Sequence, residues 1–435
     1  MFASYRRILS APGALAFTLA GLLGRLALAM SGVSAVVLIA GRRDSYALAG
    51  TVSAAGLVAV AVGLPLIGRL VDRHGQARVT VPVVLASAVP LTGLLLCLHL
   101  DAPDWTLYVC WAASSCVPNL GGMARARWAH LYRDDPEARH IANSLEQALD
   151  EACFMAAPVL AMMLCTSLFP EAGLIAAGVF GGTGALLFAA QRRTEPPVQA
   201  PADGSAPTSP LRRPGLWVMM LSLLAIGALF GSLEVTTLAY ADSLGWKSLA
   251  GGLLALVAAG SCVAGLTFGL LRPRRAPAVR YLYGVAAMAL LLLLPLAAAL
   301  AGAGLGGLAA ALFVAGTGTA PTMVTGMTVV QDLLPRQQAN EGMSAAVAAL
   351  LVGISGGAAA GGLVAQHSAP GTGYWLPSGA AVLALLIALA GHRILRPAPV
   401  AGSAAAPAPA PAPAASRVPV PAREDSARRP VSASQ

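Results

Sequence analysis

Five ionisable residues interrupt long apolar runs, and their types and spacing bound the chemistry available: Arg25, Glu146, Asp150, Glu151 and Glu234. A charge near the centre of a bilayer costs about 3 kcal/mol or more unless it faces water or a partner. Arg25 lies about 12 residues into its run, roughly 18 Å at the helical rise. It can hold an acidic substrate, pair with a carboxylate that lines the same cavity, or serve a static pair that fixes helix packing. Glu146 and Asp150 are spaced i,i+4 and share one helix face. With Glu151 beside them, three acids crowd one turn and a half, so at least one must be protonated, paired or wet. Arg125 and Arg127 close the preceding run, across a short connection. An ion-pair cluster that opens and closes during a cycle is one reading; a static cluster is the other. Glu234 stands alone, with no cation within four residues on its own run. It is a candidate for reversible protonation, or a carboxylate that snorkels to the outer interface.

These residues stand out because the rest of the chain is so apolar. Of 435 residues, 57% are hydrophobic and only 11% charged, against roughly 25% in an average soluble domain. Mean hydropathy is +0.71. That excludes an ordinary soluble enzyme and a disordered chain, and leaves a polytopic helical membrane protein. The net charge of +9 is spread in short clusters between apolar runs, which is a topology signal and not a nucleic-acid footprint. All six cysteines fall in apolar segments without a CxxC pair, so neither zinc nor a disulfide framework is expected. No GxxxxGK[ST], HExxH or GxSxG motif occurs, so no ATP hydrolysis, metal or cofactor is expected.

Twelve apolar runs are long enough to span a membrane: 13–40, 47–67, 79–100, 105–125, 143–168, 171–190, 215–240, 248–271, 281–301, 304–330, 341–366 and 373–395. With the amino terminus inside, the inner segments hold 20 arginines and the outer loops only Arg42, Arg43 and Lys247. This bias predicts both termini in the cytoplasm. A Pro-, Ala- and Ser-rich linker at 191–214 separates a six-helix bundle at 1–190 from a second at 215–396, and 397–435 reads as a disordered Ala/Pro-rich tail. The halves echo each other: Arg139-His-Ile-Ala-Asn143 precedes span five and Arg336-Gln-Gln-Ala-Asn340 precedes span eleven. The predicted fold class is an all-α polytopic membrane protein, with twelve transmembrane helices in two pseudo-symmetric six-helix bundles.

Between spans two and three the chain reads Gly68-Arg-Leu-Val-Asp72-Arg73-His-Gly75-Gln-Ala-Arg78. Gly68 lets two helices approach closely and Gly75 permits a tight turn. Asp72 can accept hydrogen bonds from a neighbouring helix amino terminus, and Arg73 and Arg78 can hold ion pairs. This pattern resembles the signature loop of the major facilitator superfamily. The resemblance covers residues 10–395 and implies that the loop latches the halves in an outward-facing state. The pseudo-equivalent loop, Gly269-Leu-Leu-Arg-Pro-Arg-Arg, lacks the acid, so a second latch is degenerate. Arg125-Ala-Arg127-Trp-Ala-His-Leu and Ser144-Leu-Glu-Gln-Ala-Leu-Asp-Glu151 resemble actinobacterial drug or metabolite efflux permeases of that superfamily. Of the Gly-Pro-rich span-five signature of many drug:proton antiporters only Ala157-Pro158 remains.

The expected function is proton-coupled export of a small amphipathic substrate by a monomer in the lipid bilayer, with no nucleic-acid partner. Arg25, Glu234, Glu146, Asp150 and Glu151 are the expected substrate-binding or ion-coupling residues. Gly68, Asp72, Arg73, Gly75, Arg78, Arg125 and Arg127 form the expected conformational gate. A proton-coupled nutrient importer and a non-transporting receptor or scaffold on the same fold are the alternatives.

Overall fold

In hydrocarbon every backbone amide must be paired within its own segment, so apolar runs of this length fold as helices. The computed structural model describes residues 2–198, 209–246, 249–272, 274–367 and 371–395. The tail at 397–435, most of the linker's middle and Lys247 lie outside the described residues.

A short helix α1 (Phe2–Leu9) precedes the bundle, followed by α2 (Ala14–Arg43), α3 (Tyr46–His74), α4 (Gln76–His99), α5 (Asp104–Ser114), α6 (Leu120–Leu131), α7 (Pro136–Ser167) and α8 (Ala172–Ala190). The second half comprises α9 (Pro214–Ser243), α10 (Ala250–Phe268), α11 (Pro277–Leu291), α12 (Leu293–Leu300), α13 (Gly304–Gly316), α14 (Thr319–Leu333), α15 (Ala339–His367) and α16 (Trp375–Gly391). Among the described residues eleven stretches are long and apolar enough to cross a membrane, and the broken pair α5/α6 supplies the twelfth crossing.

Three expectations change. Span four is not continuous: α5 and α6 are separated by residues 115–119, where Pro118 cannot donate to the helical ladder. Span ten breaks correspondingly between α13 and α14, just before Pro321. The signature stretch is not a loop either. α3 continues through Asp72 to His74, α4 begins at Gln76, and Gly75 alone makes the turn, at φ +93°. A side chain there would be strained, and its Cβ would also sit 2.9 Å from Glu195 Oε1. Third, α7 starts at Pro136, capped by Asp135 through Ala138 N–H, so Arg139 to Asn143 are helical.

The halves are glued differently. In the second half α9 and α15 interlock through glycines. A Cβ on Gly227 or Gly231 would lie 2.1 or 1.8 Å from a carbonyl oxygen of α15, and one on Gly353 or Gly357 would lie 2.1 Å from a carbonyl oxygen of α9. Two small-xxx-small ridges therefore pack backbone to backbone. In the first half the corresponding helices, α2 and α7, meet through charged side chains.

Candidate functional site

Arg25 on α2 is buried, and its guanidinium pairs with two carboxylates of α7, Glu146 at 2.8 Å and Asp150 at 2.8 Å. Arg25 Nε also donates to Gly21 O at 3.2 Å, which fixes the side chain along its own helix. Arg125 on α6 takes the other Asp150 oxygen at 2.7 Å. Trp128, one turn further along α6 and fully buried, donates its indole N–H to Glu146 Oε1 at 2.6 Å. Gln147 extends the network: it accepts from Arg125 at 3.4 Å and donates to Glu151 at 3.1 Å. Two arginines thus hold Glu146 and Asp150 in place, while Glu151 faces neutral groups, the Gln147 amide and the Ser261 hydroxyl of α10. Removing one member of such a buried pair costs about 3–5 kcal/mol, because the remaining charge is left uncompensated.

A second constellation joins the halves. Asp72, near the end of α3, accepts from Asn340 N at 3.1 Å, Asn340 Nδ2 at 2.8 Å and Glu341 N at 2.8 Å. The two backbone donors are first-turn amides of α15, which have no partner within their own helix and lie at the positive end of its dipole. Gly68 makes the approach possible: a Cβ there would lie 2.6 Å from Asn340 O and 2.9 Å from Glu341 Cα. Arg69 stands 3.9 Å from Glu341, which also accepts from Ser209 Oγ at 2.9 Å. Further cross-half contacts lie at the same end. Arg139 pairs with Asp332 at 3.5 Å, Arg272 with Glu137 at 3.3 Å, and Asn143 donates to Thr328 and Gln331 at 3.3 Å each. At the opposite end the polar contacts among the described residues stay within one half, such as Arg42 with Glu171 and Tyr374 with Thr237.

Residues 17–307 match the sequence profile of the Major Facilitator Superfamily. The chain belongs to that superfamily. No curated protein matches it by sequence. Among solved structures, the human organic anion transporter MFSD10 (TETRAN) superposes with a TM-score of 0.65 at 16% identity, covering 86% of this chain and 98% of that one. A bacterial homologue of the iron transporter ferroportin, in an outward-facing state, gives 0.63 at 16%, covering 87% and 98%. The superfamily transporter FucP, in an outward conformation, gives 0.63 at 14%, covering 90% and 100%. At these identities the likeness is one of fold, that of a membrane transporter.

Within this major facilitator fold the remaining expected residues take separate places. Arg127 does not join the acids. It is fully buried and turned the other way, donating to Gln76 Oε1 at 2.7 Å, Thr194 Oγ1 at 2.9 Å, and Phe188 O and Gln191 O at 3.0 Å each. Its guanidinium lies 3.8 Å from the Phe188 ring centroid. It thus caps the carboxyl end of α8, at the negative end of the helix dipole. Arg73 and Arg78 are exposed and make no ion pair among the described residues; the cation beside the Asp72 contact is Arg69, through Glu341. Glu234 is exposed on α9, with no hydrogen bond or ion pair among the described residues, and does not meet Arg25. Sequence reasoning missed Trp128, Gln147, Asn143, His140 and Tyr5. The first two lie in stretches that were read for their charges. Tyr5 sits in eight residues whose alternation of aromatic, aliphatic and basic side chains was the available signal.

Proposed function

We propose that the chain is a proton-coupled secondary transporter that exports a small amphipathic drug or secondary metabolite by alternating access. One observation carries this reading: polar contacts between the halves gather at the arginine-rich end, below a buried charged network midway along α2 and α7. That arrangement fits a path shut at one end and parted at the other. By the positive-inside rule the shut end is cytoplasmic and both termini are inside, in the cell membrane. The spans offer few polar side chains, which suits an amphipathic substrate better than a sugar. With Glu146 and Asp150 clamped by Arg25 and Arg125, these four suit a gate that rearranges during the cycle. Glu234 suits the proton carrier, because it is free of cations and sits on a helix that moves with the second half. Glu151 is the second acid open to that role. A monomer suffices for this mechanism.

Dye efflux tests the proposal. Cells that express the chain and are loaded with ethidium should empty faster than control cells, and a protonophore should abolish the difference. Glu234→Gln should remove gradient-driven efflux while downhill exchange persists. Unchanged susceptibility and efflux across a panel of amphipathic compounds would overturn export. Concentrative uptake of a labelled nutrient would favour the importer instead.

A further inference from the structure

We infer that the amino-terminal helix α1 supplies the second latch, with Tyr5 as its positioning residue in place of the acid missing from the repeat. The internal repeat fixes the comparison. Arg139 and Arg336 open the two RxxAN stretches 197 residues apart, and the same offset carries Gly68 onto Gly265, Asp72 onto Gly269, and Asn340 and Glu341 onto Asn143 and Ser144. The contact at the position of Asp72 obeys that mapping, while Gly265 meets Ala320 of α14 where Gly68 meets Asn340. Asp72 meets Asn340 and Glu341 at the first seam, and Gly269 meets Ser144 at the second: a Cβ on Gly269 would lie 2.7 Å from Ser144 Cβ. Where the first seam has a carboxylate, the second has an empty side-chain position, and the Tyr5 hydroxyl fills it, 2.4 Å from that same Cβ position.

The chemistry is reversed. At the first seam an acid accepts from helix-start amides. At the second, hydroxyl and imidazole face helix-end carbonyls: Tyr5 Oη donates to Leu266 O at 2.7 Å, and His140 Nε2 lies 2.9 Å from Phe268 O. These belong to the last turn of α10, beyond its helical ladder: among the described residues Phe268 O otherwise accepts only from Leu271 N at 3.1 Å. The reason lies in where α7 begins. The equivalent of the α15 start, Ala339, is Ala142, but α7 starts at Pro136. The backbone amides of Asn143 and Ser144 are therefore already spent inside the helix, and an acid at position 269 would find no free backbone amide. α1 itself is anchored to the first half. Ile8 is 1% exposed, Tyr132 Oη donates to Ile8 O at 3.0 Å, and Arg7 stands 3.6 Å from Asp135. A helix tied to one half thus grips the end of a helix in the other. Tyr5 stays a donor across the physiological range, since burial pushes its hydroxyl up to about 12.

The consequence, that α1 holds the arginine-rich end shut, rests on the alternating-access reading, but its test needs no substrate. Cys262 on α10 bridges the same seam, with Sγ 3.5 Å from Ala148 O. In the full chain, reconstituted in lipid with Cys262 as the only cysteine, its alkylation rate by a maleimide reads the opening of the seam. Tyr5→Phe keeps the ring and removes one hydrogen bond, so the rate should rise roughly twofold to tenfold without loss of folded protein. Gly269→Ala, whose methyl displaces the hydroxyl, should raise it similarly, and the double variant should be no faster than the faster single. Deletion of residues 2–9 should raise it further. A Tyr5→Phe rate equal to wild type, or additive effects of the two substitutions, would overturn the latch. Absence of dye efflux from cells, with these rates as expected, would instead strike the transport reading alone.

Discussion

The seam between α3 and α15 and the seam between α7 and α10 occupy equivalent places in two halves of one repeat, yet they are closed by opposite chemistry. At the first, the Asp72 carboxylate sits on the amides of Asn340 and Glu341. At the second, the Tyr5 hydroxyl and the His140 ring sit on the carbonyls of Leu266 and Phe268. The difference follows from a shift in one helix boundary. α15 starts beside the seam and offers bare amides, whereas α7 starts about two turns earlier and offers none. The repeat preserves the geometry of the contact and exchanges the groups that make it. A charge-assisted contact at a helix start is about twice as strong as a neutral hydrogen bond, so the first seam should dominate.

The largest effect is therefore expected from Asp72→Asn. The amide fills the same space but presents one acceptor where the carboxylate presents two, and loses its charge against the α15 dipole. The protein should fold and insert at wild-type level while ethidium efflux falls close to background. Normal efflux at equal expression would break the comparison by making the acid dispensable.

Gly269→Asp sharpens the same point, with a smaller effect. If the second seam simply lost its acid by drift, restoring it should tighten the closure. The boundary argument says otherwise: no free amide awaits a carboxylate there, and its Cβ meets both Ser144 and Tyr5. The variant should alkylate at Cys262 faster than Tyr5→Phe and should transport more slowly than wild type. A slower alkylation rate than wild type would show that the equivalent amides are available after all.

Sequence periodicity made the spans legible, because backbone pairing in hydrocarbon leaves little freedom. What it misplaced has local causes. The helices at the arginine-rich end outrun their apolar stretches: α3 carries Arg69 to His74 and α7 carries Arg139 and His140, all polar enough to read as loop. Pro118 broke span four, although prolines at 65, 82, 90 and 158 lie inside continuous helices, so a proline alone does not announce a break. In the site, i,i+4 spacing put Glu146 and Asp150 on one face, but only the fold brings Arg25 to them across 121 and 125 residues. Arg125 and Arg127 look alike in sequence, two residues apart and thus on different helix faces. One pairs with Asp150 and the other caps α8. The contrast between glycines at α9–α15 and charges at α2–α7 was likewise hidden, because glycine spacing alone does not say which helix fills the groove.

The smallest effect should come from Tyr132→Phe, which tests from which side α1 is held. Tyr132 donates to Ile8 O at 3.0 Å, and its ring stacks on Trp128 at 5.9 Å between centroids. The substitution keeps the stacking and removes one neutral hydrogen bond. The site is only half-buried, so water can replace the lost donor at Ile8 O, and the net loss should fall at or below about 0.5 kcal/mol. Ile8 and the neighbouring apolar contacts remain to hold α1 against the first half. Alkylation of Cys262 should rise less than in Tyr5→Phe, by roughly twofold at most. A rise greater than that of Tyr5→Phe would relocate the weak link of the second seam from the α10 carbonyl to the root of α1, and with it the point at which the closure gives way.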